Sequence, residues 1–163
     1  MTYRCATCDE EHDDLPDLGL QYPDPYLAVP EHERAHRATF TSDVCTTIDD
    51  DGEHYFIRGV ILIPILERDE PFGIGAWVSQ SKSNFDRYVA GEDMDPTFGW
   101  LVNRIAGYEP STALLKTQVH FRTGKQRPTI VLEPTEHPLA EQQREGISLD
   151  RAWAIVHPYL AQS

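Results

Sequence analysis

The stretch from Glu53 to Leu66 constrains the fold of this chain more than any other. Its first half alternates, with Tyr55 and Ile57 on one side and His54, Phe56 and Arg58 on the other, the period of a β-strand. Its second half, Val60-Ile61-Leu62-Ile63-Pro64-Ile65-Leu66, is apolar on both faces, which suits a strand through the centre of a sheet. This run is the longest apolar stretch and contains a proline, far short of the roughly 18 residues a membrane helix needs. Gly59, between the halves, marks a bulge or a close backbone approach.

The flanking sequence supplies partners for that strand. Val44 to Ile48 reads as a strand, turned by Asp49-Asp50-Asp51-Gly52. Phe72 to Ser79 reads as another. Ala113 to Arg122 and Arg127 to Glu133 read as a hairpin around Thr123-Gly124-Lys125-Gln126. Helices are expected from Glu31 to Ala38, from a Ser83 cap to Gly91, from Pro138 to Gly146, and from a Ser148 cap onward. The last carries Leu149, Ala152, Trp153, Val156 and Leu160 at helical spacing, with Pro158 to kink or end it. Trp100, Leu101 and Ile105 supply core from a short helix or irregular segment. Residues 13–30, interrupted by Pro16, Pro23, Pro25 and Pro30, read as loop. The expectation is an α+β fold: a largely antiparallel central sheet, short helices at the ends and a cysteine-containing N-terminal knuckle. At 163 residues without internal repeats, the chain reads as one domain, 1–163. It divides into an acidic, proline-rich segment, 1–42, and a sheet-and-helix core, 43–163.

Charge narrows the partners. The net charge is −13, and residues 1–53 hold 14 Asp/Glu against 3 Lys/Arg. Such a chain repels phosphate backbones, so no nucleic acid is expected, whereas a basic protein partner fits the acidic surface. No apolar stretch follows Met1-Thr2-Tyr3-Arg4, and no run spans a bilayer. A cytoplasmic protein without a signal peptide or membrane contact is therefore expected. Three cysteines without secretion point to reduced thiols or metal rather than disulfides.

Cys5-Ala6-Thr7-Cys8 puts two thiols on one turn, which suits tetrahedral zinc. His12 follows, and a fourth ligand would come from Cys45 or from His54. A closed site of this type contributes on the order of 10 kcal/mol to folding. Two unliganded thiols are the plainer alternative. His32-Glu33-Arg34-Ala35-His36 matches H-E-x-x-H, with Glu53 or His54 as third ligand. Its flanks, Pro30-Glu31 and Arg37-Ala38-Thr39, lack the apolar residues of a buried zincin helix, so a metallopeptidase is a remote alternative.

Residues 110–132 contain no Asp or Glu. Alternation puts Lys116, Gln118, His120 and Arg122 on one face, with Arg58 and His54 nearby and His137 at the far end. One reading is an anion pocket of Arg58, Lys116, His120, Arg122 and His137, with His120 or His137 as acid or base. The other is a positive surface for the acidic N-terminal third. No G-x-S-x-G, G-x-x-x-x-G-K-[ST] or G-x-G-x-x-G is present.

Cys5-x-x-Cys8-x-x-x-His12, Ser42-Asp43-Val44-Cys45, His54 to Gly59 and Trp77-Val78-Ser79 form a recognisable series. It continues through Phe98 to Leu101, Leu115 to His120 and the tail Leu132 to Ala140. Together these segments resemble the bacterial domain-of-unknown-function 2199 family over nearly the whole chain. The family is uncharacterised, so the resemblance implies no activity. It does imply that Cys5, Cys8, His12 and Cys45 belong together, which favours zinc. Asp9 stands where the family usually has glycine. The expected function is a zinc-stabilised binding module with an acidic surface for a partner protein. The alternative is an enzyme or sensor of a small anionic ligand at hairpin 115–133.

Overall fold

The central strand spans Gly52–Ile63 (β6) in the computed structural model, which describes residues 3–4, 11–12, 15–123 and 126–160. Phe72–Gln80 (β7) pairs antiparallel along it, from Tyr55 opposite Gln80 to Ile63 opposite Phe72. On its other side Val44–Asp49 (β5) pairs with the first half. Thr129–Leu132 (β10) joins further along, parallel, with Thr129 opposite Val60. Lys116–His120 (β9) forms the expected hairpin with β10, and Thr97–Trp100 (β8) is antiparallel to β9. Leu18–Gly19 (β3) runs parallel to β7, and Ala38–Phe40 (β4) pairs with β5. A separate two-stranded ribbon joins Tyr3–Arg4 (β1) to Glu11–His12 (β2). The protein is α+β, and its sheet is mixed: mostly antiparallel, with parallel pairs at β3–β7 and β6–β10.

The sheet curls back on itself. Val78 bridges Leu101, the Val102 amide donates to the Trp77 carbonyl at 3.0 Å, and the Trp100 amide donates to Ser79 Oγ at 3.0 Å. The chain just after β8 thus meets β7, four strands away along the sheet order. Gly99 permits this approach, and Gly59 a similarly close one between β6 and β10. A Cβ on Gly59 would lie 2.8 Å from Ile130 Cγ1 and the Pro128 carbonyl oxygen, and one on Gly99 would lie 2.6 Å from the Ser79 carbonyl oxygen. Neither space exists for a side chain, so these positions are set by contact rather than by backbone angle.

The curl turns one face of every strand inward. Ile57, Ile61 and Ile63 meet Ile74, Ala76, Val78, Leu101, Val119, Ile130 and Leu132 in one buried cluster. Each such side chain contributes roughly 1.5–3 kcal/mol on burial. Pro138–Glu145 (α4) adds Leu139 and Ala140, and Leu149–Leu160 (α5) adds Ala152, Trp153, Ile155 and Val156. Both helix boundaries follow the sequence signals. His137 caps α4 through Nδ1, Pro138 occupies its first turn, and Gly146 ends it at φ 89°. Ser148 Oγ accepts from the Arg151 amide, and Pro158 lies in the final turn of α5.

Several expected boundaries move. Lys82–Val89 (α3) is capped by Ser81, whose Oγ accepts from the Asn84 amide at 3.1 Å, rather than by Ser83, which lies inside the helix. Trp100, expected to supply core from a short helix or irregular segment, instead ends a strand, Thr97–Trp100, paired along the edge of β9. It is partly exposed, whereas Leu101 and Ile105 are buried. Within the presumed loop 13–30, Pro25 sits in the first turn of a helix, Asp24–Ala28 (α1). The expected helix Glu31–Ala38 divides into a 3₁₀ turn, Glu31–Glu33, and Arg34–Arg37 (α2), with Ala38 already in β4.

The outer face of β6 and β7 is covered in part by this N-terminal region. Cys45, Phe56, Trp77 and Val102 form a second buried cluster, with Tyr26 and Phe40 packed against it. Polar ties fix the cover: Trp77 Nε1 donates to the Leu20 carbonyl at 3.0 Å, and the Arg104 amide donates to Asp24 Oδ2 at 2.9 Å. The Gly73 amide donates to Asp17 Oδ1 at 2.9 Å.

Replacing Gly99 by alanine forces a methyl onto the backbone oxygen of Ser79. Gly99→Ala is expected to lower stability by about 1–3 kcal/mol in urea unfolding. An unchanged midpoint would show that β8 and β7 do not approach as described.

Candidate functional site: an apolar cleft beside His54

The cover leaves one side of the outer face open. A cleft of about 380 Å³ lies between α1, the β5–β6 turn and β8. Its apolar lining comes from Val29, Ile48, Phe56, Trp100, Val102 and Leu114, with Thr47, Ser79, His54, Asp49 and Arg37 among its polar members. The floor is buried, at Val29, Phe56 and Val102. The rim is not: Ile48 is 42%, Trp100 39% and Leu114 67% exposed. Large apolar residues grouped around a concavity, rather than scattered singly, mark a surface that meets something else.

Leu114 adds a second sign. Its φ is +70°, a region that a side chain of this size rarely enters. Its amide donates to the Leu101 carbonyl, and the Leu115 amide donates to the Thr112 carbonyl at 3.3 Å, so the turn is held by its own hydrogen bonds. Holding a leucine there costs on the order of 1–3 kcal/mol, and the result is an exposed apolar side chain at the lip of the cleft.

The opposite lip is acidic. Asp49 accepts from His54 Nε2 at 3.0 Å through each carboxylate oxygen, and from the Asp51 amide at 2.8 Å. The carboxylate can only accept, so Nε2 carries the proton. The hydrogen bond from His54, and then that from Asp51, hold the Asp49 carboxyl below its ordinary value. Arg37 Nε donates to the Ile48 carbonyl at 3.0 Å while Nη1 reaches Glu33 at 3.3 Å. A second concavity of about 420 Å³, lined by Glu33, Arg37, Ile48, Asp49 and Asp50, continues from the first through three shared residues. An apolar hollow thus runs into an acidic one. Among its polar groups, His54 pairs with Asp49 and Ser79 Oγ accepts from the Trp100 amide.

The residues singled out in the sequence lie elsewhere. Cys5 and Cys8 fall outside the described residues, and His12 is the second residue of β2, opposite Tyr3. Cys45 is fully buried among Phe56, Trp77 and Val102, and burial pushes its thiol up to about 12. His54, the other candidate fourth ligand, is engaged by Asp49. Among the described residues no group of three or more His, Cys, Asp or Glu could hold a metal ion. Within His32-Glu33-x-x-His36, the first His side chain is 84% exposed and Glu33 is paired with Arg37.

The five residues of the expected anion pocket are spread over the molecule. Lys116 lies over Trp100, its Nζ 5.9 Å from the ring centroid. His120 is exposed at the end of β9. Arg122 Nε donates to the Arg127 carbonyl at 2.6 Å, closing the hairpin. His137 is buried, with Nδ1 accepting from Leu139 and Nε2 2.8 Å from the Pro110 carbonyl oxygen. That leaves it no free ring nitrogen for a ligand. Arg58 lies against Trp77, 6.0 Å from guanidinium carbon to ring centroid. Arg127 pairs with Asp43 at 2.9 Å, a contact of the basic hairpin with an acid from the N-terminal third.

Of the cleft residues His54 was singled out in advance, as a metal ligand and a neighbour of the hairpin face, whereas the apolar lining was not read as a binding surface. One signal was available: the Asp-rich turn just before Glu53 and His54.

The sequence profile described as "Uncharacterized protein conserved in bacteria (DUF2199)" matches residues 4–147, and the chain belongs to that family. No curated protein and no solved structure matches the chain. Among the described residues no helix is long and apolar enough to cross a membrane.

The Asp49–His54 pair has a defined pH signature. Because the folded carboxyl lies below its ordinary value, the pair adds stability above that value and loses it as pH falls through the folded one. Carboxyl carbon NMR should find Asp49 titrating below 3.8 and moving upward in His54→Ala. An unshifted Asp49 in the native protein would contradict the pairing.

Proposed function

We propose that this family member is a non-catalytic binding module that receives an apolar, basic segment of a partner protein in the cleft beside His54. The observation that carries this reading is the continuity of the apolar hollow with the acidic one at Ile48 and Asp49. An apolar side chain of the partner enters against Phe56, Val102, Trp100 and Leu114. A neighbouring Lys or Arg meets Asp50, Asp51 and Glu33, in keeping with the excess of acids before residue 54. His54 and Asp49 pair with each other and Ser79 Oγ accepts from the Trp100 amide, which favours recognition over chemistry.

A structural zinc ion belongs to the same proposal. Cys5, Cys8 and His12 are three donors of the type zinc takes. The burial of Cys45 in an apolar cluster means that its thiolate would have to be stabilised by the metal itself. Elemental analysis of the purified chain is expected to give about one zinc per molecule. Metal-free protein with all thiols titrating would remove zinc from the account and leave the cleft untouched.

The cleft is tested with an acetylated, amidated Leu-Leu-Lys-Arg-Lys peptide in calorimetry. Leu114→Asp and Trp100→Ala are each expected to weaken binding about tenfold or more, and added salt to weaken it further. Absence of binding, or equal binding by Leu114→Asp, would contradict the proposal.

A further inference from the structure

Arg58 stands on the outer face of β6, opposite Trp77 in register and on the far side of the Cys45 cluster from the cleft. Its Nε is held without being satisfied. The outward-facing positions beside it are glycines. A Cβ on Gly19 would lie 3.2 Å from Nη2, and one on Gly75 would lie 3.6 Å from Nη2 and 3.7 Å from Nε. The planar group therefore lies along bare backbone of β3 and β7, with Trp77 beside it. A larger residue at Gly19 would push on it.

Nε is wholly buried and has no hydrogen-bond partner. No carboxylate among the described residues pairs with the group, although the chain carries 27 Asp and Glu. The nearby Asp43 is committed elsewhere, to Arg127 Nε at 2.9 Å. Burial, then the charge of Arg127, lower the guanidinium's proton affinity, while Asp43 raises it. It stays charged at any physiological pH nonetheless. A partly buried cation with one donor unpaired is stabilised when an anion arrives.

We infer that Arg58 is a receptor for a carboxylate, at a site separate from the cleft. The planar fork of a guanidinium matches a planar carboxylate bidentately. A single negative charge is also the one tolerated here. Asp43 lies close by, engaged by Arg127, and the chain carries a net −13, so a doubly charged phosphate meets more repulsion than a carboxylate does. The two sites have opposite chemistry, one taking a basic apolar segment and the other an anion.

The test follows the Arg58 Nε–H signal in a ¹H–¹⁵N spectrum during titration with sodium acetate. Sodium chloride and inorganic phosphate at matched ionic strength serve as comparisons. The signal is expected to shift saturably with acetate, and acetate is expected to raise the melting temperature of the native protein. Arg58→Lys keeps the charge but loses the fork, and Gly19→Ala crowds Nη2; each is expected to weaken acetate about tenfold. The absence of a saturable shift, an equal response to chloride, tighter binding of phosphate, or an Arg58→Lys protein that binds acetate like the native one would each overturn the assignment. The native spectrum decides the question alone where a variant does not fold. The blocked peptide used for the cleft carries no carboxylate, so the two sites succeed or fail separately.

Discussion

Where Val78 meets Leu101, the sheet ceases to be an open one and acquires an inside and an outside. The inside is largely apolar, with the buried Thr117 hydroxyl donating to the Gly99 carbonyl, and α4 and α5 pack against it. It depends on two positions that hold no side chain, Gly59 against Pro128 and Ile130, and Gly99 against Ser79. A methyl group at either would separate strands whose contact defines the core. The hydrophobic driving force is thus distributed over many isoleucines and valines, while the geometry that lets them meet rests on a few backbone contacts.

The outside inherits its properties from that closure. Strand alternation sends His54, Phe56 and Arg58 outward together. The N-terminal region then covers only the middle of this row, over Phe56, Trp77 and Cys45. To one side lies the apolar hollow with its strained Leu114 and exposed Trp100, merging into the Asp-rich turn. To the other side lies Arg58, flat on glycine backbone. One strand face therefore presents an apolar-acidic surface and a cationic one, separated by a sealed aromatic cluster. Their chemistry differs because their neighbours differ: the β5–β6 turn brings acids, whereas β3 and β7 bring glycines.

Much of the fold was legible in advance. The two-residue period of 53–58, the apolar run after it and the acid-free hairpin located β6, β9 and β10, and caps and stops located α4 and α5. The parallel pairs were not, because pairing direction is set by how distant segments meet rather than by local pattern. Residues 97–100 became a strand for the same reason. The site was less legible. Sequence reading rewarded ionisable side chains, and the structure spends His137 on a helix cap and Arg122 on a hairpin carbonyl. The cleft is made by Val29, Ile48, Trp100, Val102 and Leu114, which come from separate segments and converge only when β8 closes onto β7. Arg58 was visible as a candidate, but its lack of a partner is a property of the fold.

The measurement closest to the central claim is a map of backbone amide shifts as the blocked Leu-Leu-Lys-Arg-Lys peptide is added to ¹⁵N-labelled protein. The account predicts changes confined to α1, residues 47–56, Ser79, residues 100–102 and Leu114, with the Asp49–Asp51 turn moving in step with the apolar lining. Changes centred on the hairpin strands Lys116–His120 and Thr129–Leu132, with the cleft residues unmoved, would contradict it.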